Sequence, residues 1–270
     1  MHSMTLIGVG ETELDYERTG AGQPLLLIMG MSGTALHWDE GFLELLRRDF
    51  DVIAYDHRGV GASTRLDGPV TIREMAADAA GLLEALDVDS AHVMGISMGG
   101  MIAQELALAN PERLRTLTLG CTFCGGEGSV VTSQAVLQRL TEAMASGDRE
   151  RALRVGFEVN VSAAYAADDA AYERFLEIAN RRAVAVPVVL AQMQACLAHD
   201  TNERLPGIAI PTLVMHGTED QLLPVENGRL IAARIPGSQL EIFDGVGHLF
   251  FWEQPERAAE LVRGHAAVAV

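Results

Sequence analysis

The stretch Ala91-His92-Val93-Met94-Gly95-Ile96-Ser97-Met98-Gly99-Gly100 decides the reading of this chain. Residues 91–95 form a short apolar run and read as a buried strand, and residues 99–109 read as a helix stopped by Asn110-Pro111. Between them Gly95-Ile96-Ser97-Met98-Gly99 places a serine in a strand-to-helix turn. The flanking glycines relieve crowding in such a sharp turn and push the serine out above the sheet. The helix that follows aims its N-terminal amides at the same spot. A five-residue pattern alone is weak, and a serine can occupy a tight turn for shape only. The strand before it, the helix after it and the extra room at Gly100 point instead to a nucleophile.

Working outward, Leu25 to Met29 and Asp51 to Tyr55 read as strands, with Phe42 to Arg48 as a helix between them. Ile72 to Leu86 carries Met75, Ala79, Leu82, Leu83 and Leu86 at helical spacing, behind Thr71 and Glu74 placed as a capping box. Leu114 to Leu119 reads as a further strand. This rhythm of continuous apolar strands and helices predicts an α/β fold, a mostly parallel sheet covered on both faces. It breaks from about Cys121 to Asn202, where Val136–Ala145, Glu150–Val159, Ala170–Ala179 and Val186–Leu197 all fit helices. Strands resume at Ile210 to His216 and Leu240 to Phe243, and Pro255 to Val262 is a last helix. The expected organisation is a core domain from residues 1–120 and 203–270, with residues 121–202 as a helical cap. The Ala/Val-rich end, Ala266 to Val270, is expected to fray.

Composition narrows the function classes. The chain has 270 residues, 20 Lys plus Arg against 37 Asp plus Glu, and a formal charge of −17. That field repels nucleic acid and anionic lipid surfaces. Three cysteines, Cys121, Cys124 and Cys196, do not make a disulfide framework, and the Cys121–Cys124 spacing lacks a redox context. Met1 to Glu13 does not read as a signal peptide, and no apolar run is long enough to span a bilayer, so a cytoplasmic location is expected.

The chain resembles the α/β-hydrolase superfamily over nearly its whole length. Gly95-Ile96-Ser97-Met98-Gly99-Gly100-Met101 together with Asp56-His57-Arg58-Gly59-Val60-Gly61-Ala62-Ser63 is similar to the branch containing carboxylesterases and 3-oxoadipate enol-lactonase-like lactonases. Polyketide methylesterases and cofactor-free haloperoxidases or perhydrolases are similar too. The resemblance implies an α/β-hydrolase fold with a helical cap insertion and a Ser-Asp-His triad in the order nucleophile, acid, histidine. Of eight histidines, His248 fits best, in the Gly-rich loop Asp244-Gly245-Val246-Gly247-His248 after the last strand. His2 and His265 lie toward ends expected to be mobile, His92 and His216 in or beside strands, His57 in the Asp56–Ser63 turn, and His37 and His199 outside any motif. The resemblance places the acid at Asp220, in His216-Gly217-Thr218-Glu219-Asp220-Gln221, with Glu219 the near rival. Asp56 and Asp244 read as turn residues bonded to local backbone.

Acyl transfer also needs donors for the developing oxyanion. The resemblance assigns one to the backbone N–H of Met98. The other falls to the N–H of Met31, in Met29-Gly30-Met31-Ser32-Gly33. Histidine is common in relatives where this chain has Met29, so any bracing by that side chain is lost. Trp38 is expected near the loop and Trp252 beneath that of His248. Serine at position 97 argues against dehalogenase or epoxide hydrolase chemistry, which needs aspartate there. No metal-ligand spacing and no dinucleotide motif is present, so neither metal nor cofactor is expected.

The expected activity is hydrolysis of a small to medium hydrophobic ester, or of a lactone, through an acyl-enzyme on Ser97. Perhydrolase or haloperoxidase chemistry, C–C bond hydrolysis and a non-catalytic ligand-binding receptor are the alternatives. The expected partner is the small-molecule substrate, without nucleic acid or membrane, and a homodimer stays open. Phe123, Phe157, Tyr165, Phe175, Met193 and Met144 are the cap residues that suggest an apolar pocket.

Overall fold

The computed structural model describes residues 4–269. In chain order its elements are β1 (Thr5–Val9), β2 (Thr12–Gly20), β3 (Gln23–Ile28), α1 (Glu40–Leu46), β4 (Phe50–Tyr55) and α2 (Ile72–Ala85). They continue as β5 (Ala91–Ile96), α3 (Met98–Ala109), β6 (Leu114–Gly120), α4 (Gln134–Ala145), α5 (Arg149–Asn160), α6 (Ala163–Ala166), α7 (Asp169–Arg181) and α8 (Val186–Leu197). Last come β7 (Thr212–Gly217), α9 (Glu226–Arg234), β8 (Gln239–Phe243), α10 (Phe250–Glu253) and α11 (Pro255–Ala266). This is an α/β-hydrolase fold.

The strands form one eight-stranded sheet in the order β1-β2-β4-β3-β5-β6-β7-β8. Pairs β1–β2 and β2–β4 are antiparallel, and every other pair is parallel. The chain leaves β3 for β4 on one side and then β5 on the other, so the order reverses between β3 and β5. In open α/β sheets the crevice at the carboxyl ends of two such strands is where ligands bind. Here Ile28 stands opposite Gly95 in the register, so the Met29–Gly33 loop and the Ser97 turn leave the sheet side by side.

Continuous apolar strands feed both faces because successive side chains alternate. Leu26, Ile28, Ile53, Tyr55 and Val93 pack with Met75, Leu82, Ile102 and Leu106 of α2 and α3. Leu25, Leu27, Val52, Ala54 and Met94 pack with Phe42 and Leu46 of α1 and with Ala258 and Val262 of α11. The capping box forms: Glu74 N–H donates to Thr71 Oγ1 at 3.2 Å, and Thr71 N–H to Glu74 Oε2 at 2.8 Å.

Helices α4–α8 occupy the chain between β6 and β7, and no strand falls in residues 121–202. Several contacts tie this helical insertion to the sheet. Arg182, just after α7, pairs with Asp56 and, at 3.1 Å, with Asp15. Asp56 also accepts the Ala35 N–H at 2.7 Å, so it bridges distant segments rather than capping its own turn. Asp244 accepts from the Thr218 hydroxyl at 3.3 Å, again a cross-loop contact.

One expectation about the C-terminus fails: His265 is buried in α11 with a ring nitrogen 3.1 Å from the Pro211 carbonyl, while Ala267–Ala269 form an exposed turn of 3-10 helix beyond it. A mobile end does not bury an imidazole. His2 and Val270 lie outside the described residues. Among the described residues no helix is long and apolar enough to cross a membrane.

Candidate active site

Ser97 sits between β5 and α3 with φ 56° and ψ −122°, a backbone conformation that non-glycine residues rarely adopt. Close packing makes the turn possible. A Cβ at Gly99 would lie 1.9 Å from the Ile28 carbonyl oxygen, and one at Gly95 would lie 2.2 Å from that of Gly99. Only hydrogen fits at either position. The turn is anchored on β6: Ser97 N–H donates to the Gly120 carbonyl at 2.9 Å, and the Thr122 hydroxyl donates to the Ser97 carbonyl at 2.7 Å. Met98 opens α3, where a helix leaves its first amides without an intrahelical acceptor; the Gly100 N–H is already taken by the Ser97 carbonyl at 2.9 Å.

The other side of the crevice is the Met29–Gly33 loop. It closes through Gly33 N–H to the Gly30 carbonyl at 3.3 Å, with Ser32 at φ 59°. A Cβ at Gly30 would lie 3.1 Å from Ser97 Cβ and 3.6 Å from Ser97 Oγ, so this loop passes directly beside the serine. His57 Nε2 lies 2.8 Å from the Met29 carbonyl. Burial lowers its pKa, which keeps the ring neutral, so Nε2–H donates. Bracing of the loop from Met29 itself is lost, and His57 braces it from the neighbouring turn.

The acid and the histidine meet at the end of the sheet. His248 Nδ1 is 2.7 Å from Asp220 Oδ2, and both residues are buried. Asp220 Oδ1 accepts the backbone N–H groups of Leu222 and Leu223, both at 2.9 Å. His216 Nε2 lies 3.3 Å from Asp220 Oδ2 and 2.6 Å from the Leu223 carbonyl, so its proton is shared between two acceptors. Burial by itself pushes the Asp220 pKa up. The charge of His248 and the hydrogen bonds from His216 and His248 outweigh it and hold the carboxyl well below the usual range. Asp220 is therefore an ionised acceptor with every partner a donor. Glu219, the rival, is exposed and takes the Ala163 N–H at 3.1 Å.

Cys121 links the two halves. It follows Gly120, which holds the serine turn, and its sulfur lies within 4.8 Å of ligand atoms of Asp220 and His248. Burial pushes the thiol pKa well up, so it stays protonated and points toward the Gly247 carbonyl at 3.9 Å. Ser97, Asp220 and His248 follow the carboxyl ends of β5, β7 and β8, and Asp220 and His248 are in contact. Among the described residues no hydrogen bond joins Ser97 Oγ to His248. Such bonds are often long before substrate arrives.

Four supporting residues escaped the sequence reading. Glu253 accepts Gly247 N–H at 2.8 Å and Ser162 N–H at 2.9 Å, fastening the His248 loop to the insertion. Gln192 reaches the Ser32 N–H, while His57 and His216 act as described. His216 had a local signal, four residues before the acid in one motif. Gln192 had none, being 160 residues from its partner. Trp38 is fully buried against Phe42 and Phe251, and Trp252 donates its indole N–H to the His37 carbonyl at 2.8 Å. Phe157, Tyr172 and Phe175 of the insertion pack with Leu249, the neighbour of His248, whereas Met144 and Met193 are exposed.

A family model described as the alpha/beta hydrolase fold matches residues 23–255. The chain belongs to the alpha/beta hydrolase fold family. Within it, a protein of Azorhizobium caulinodans carrying the name carbamate hydrolase RutD is 36% identical over 259 residues, covering 94% of this chain and 95% of that protein. One named non-heme bromoperoxidase BpoC, from Mycobacterium tuberculosis, is 32% identical and covers 90% of this chain and 93% of its own length. The crystal structure of the esterase RhEst1 from Rhodococcus sp. ECU1013 superposes with a TM-score of 0.84 at 26% identity, covering all of both chains. The chain is thus similar to proteins named as a carbamate hydrolase, a bromoperoxidase and an esterase.

Proposed function

We propose that this protein is a serine hydrolase of carboxylic esters or lactones, working through an acyl-enzyme on Ser97. The observation that carries the reading is the buried, ionised Asp220 held 2.7 Å from His248 Nδ1 at the strand ends that also carry the strained Ser97 turn. With Nδ1–H donating to Asp220, Nε2 of His248 carries the lone pair and takes the Ser97 proton. Ser97 Oγ attacks the substrate carbonyl while the amides of Met98 and Met31 bind the oxyanion. His248 returns the proton to the leaving alkoxide, and water then releases the acyl group with His248 again as base. Residues 121–202 act as the cap that limits substrate size.

The same chemistry acts on a carbamate carbonyl, and the relative at 36% identity favours that as a second reading. The bromoperoxidase-named relative supports testing perhydrolysis with peroxide in place of water. The experiment is turnover of p-nitrophenyl esters from acetate to octanoate by the wild type and Ser97→Ala. The expected result is activity lost in Ser97→Ala, with an optimum at short to medium chains. Equal activity in the two proteins overturns the acyl-enzyme. Turnover of a carbamate far above every ester moves the assignment to the second reading.

A further inference from the structure

Helix α8 carries one polar side chain that is almost completely buried: Gln192 is 1% exposed. Its Oε1 accepts the backbone N–H of Ser32 at 2.9 Å. A backbone N–H can only donate, so the amide's orientation is fixed, with Oε1 on the Ser32 N–H and the NH2 group on the other arm of the amide. That Nε2 has no hydrogen-bond partner among the described residues. A buried donor left unmade is costly, and a ligand that offers an acceptor recovers the cost.

The loop that Gln192 holds is the one beside the serine. Ser32 follows Met31, whose N–H is the proposed oxyanion donor, and Gly30, which passes next to Ser97. Ser32 itself takes φ 59°, which nothing in its side chain requires, so the loop keeps its shape through contacts from outside. The two heteroatoms of a carboxamide share one carbon. Nε2 therefore stays close to the Ser32 end of this loop, one residue from Met31.

We propose that Gln192 is a positioning and substrate-recognition residue, its Oε1 fixing the loop that presents the Met31 N–H and its Nε2 donating to an oxygen of the acyl group close to the scissile carbonyl. The substrate class is then an ester or lactone whose acyl part carries an alkoxy, hydroxy or oxo oxygen near the carbonyl. This rests on the ester reading given above.

Two esters that differ by one atom test it: p-nitrophenyl methoxyacetate has an oxygen where p-nitrophenyl butyrate has a methylene. Gln192→Glu, when ionised, still accepts the Ser32 N–H but has no donor. When protonated, it accepts with one oxygen and donates with the other. Gln192→Met loses both roles. The expected result for Gln192→Glu at pH 8 is a methoxyacetate-to-butyrate ratio of kcat/KM reduced about five- to tenfold from the wild type. That ratio climbs back toward the wild-type value as the pH is lowered to 6. Gln192→Met shows the same reduced ratio at all pH values and a lower kcat on both esters.

A ratio unchanged in both variants overturns the recognition role and leaves Nε2 to water. An unchanged kcat on butyrate in Gln192→Met overturns the positioning role. If Gln192→Met does not fold, the pH-dependent ratio of the near-isosteric Gln192→Glu decides alone. If the wild type turns over neither ester, the ester reading has failed separately. Binding of methyl methoxyacetate against methyl butyrate to Ser97→Ala, with and without Gln192→Glu, then reads the same preference.

Discussion

Replacing Asp220 by asparagine tests the site most sharply, because the surrounding hydrogen bonds dictate how the new side chain must sit. Asp220 Oδ1 accepts two backbone N–H groups at 2.9 Å, from Leu222 and Leu223. In Asp220→Asn the carbonyl oxygen must stay there, since turning the NH2 toward two N–H donors leaves three buried donors facing one another. Each lost bond of this kind costs about 1–3 kcal/mol. The new NH2 therefore faces His248 Nδ1, where the carboxylate was at 2.7 Å. That nitrogen must then be the acceptor, which moves the ring proton to Nε2 and removes the lone pair that Ser97 needs. The imidazolium formed during attack also loses its counter-charge. In the analogous substitution in chymotrypsin-like proteases, a worked case of this tautomer argument, kcat falls by about 10⁴. The same mechanism predicts a loss of about 10³–10⁴ here, with KM little changed, measured on the best p-nitrophenyl ester. His216 should keep the protein folded, because its proton still has the Leu223 carbonyl at 2.6 Å. Circular dichroism and a Tm within a few degrees of wild type check that point. Activity within tenfold of wild type in a folded Asp220→Asn protein would falsify the assignment of Asp220 and return attention to Glu219.

Three further outcomes follow from the serine turn and from buried histidines. Ser97→Gly relieves a φ of 56° and should raise Tm by about 2–6 °C while abolishing turnover. Gly99→Ala, with its Cβ 1.9 Å from the Ile28 oxygen, should cost on the order of 4 kcal/mol or yield no soluble protein. A Ser97→Gly variant less stable than wild type would show that the turn stores no strain. His92 and His199 are buried, and burial lowers each pKa from 6.5 to about 4. Between those values the unfolded chain binds more protons than the folded one, so this stability is present above about pH 6.5 and is lost as pH falls toward 4. Unfolding free energies from urea titrations at pH 7.5 and 5.0 should differ by about 2 kcal/mol for each histidine, and a flat profile across that range would refute their burial as neutral rings.

The sequence showed its parallel sheet because strands buried on both faces are apolar runs, as Leu25 to Ile28 is and as Val93 to Ile96 is, and because a β-α-β rhythm admits few topologies. The antiparallel β1–β2 hairpin was not legible. Its burial alternates irregularly over Thr12 to Gly20, with Asp15, Glu17 and Arg18 inside a strand. Asp15 is buried because Arg182 arrives from α7 at 3.1 Å, a partner 167 residues away. The same distinction runs through the site. Ser97, Asp220 and His248 stand in local motifs because each needs a particular turn, and turn chemistry is written within five residues. The residues that hold those turns do not need neighbours in sequence. Gln192 on Ser32, Glu253 on Gly247 and Cys121 beside His248 are all cross-chain contacts made by ordinary residue types on helices or strand ends. A glutamine on a helix reads as solvent-facing until the loop it clamps is known. What the chain spells out locally is therefore the turns that carry the proposed nucleophile, acid and base. The contacts between the insertion and the loops that hold those turns, such as Gln192 on Ser32 and Glu253 on both Ser162 and Gly247, are brought together only by the folded chain.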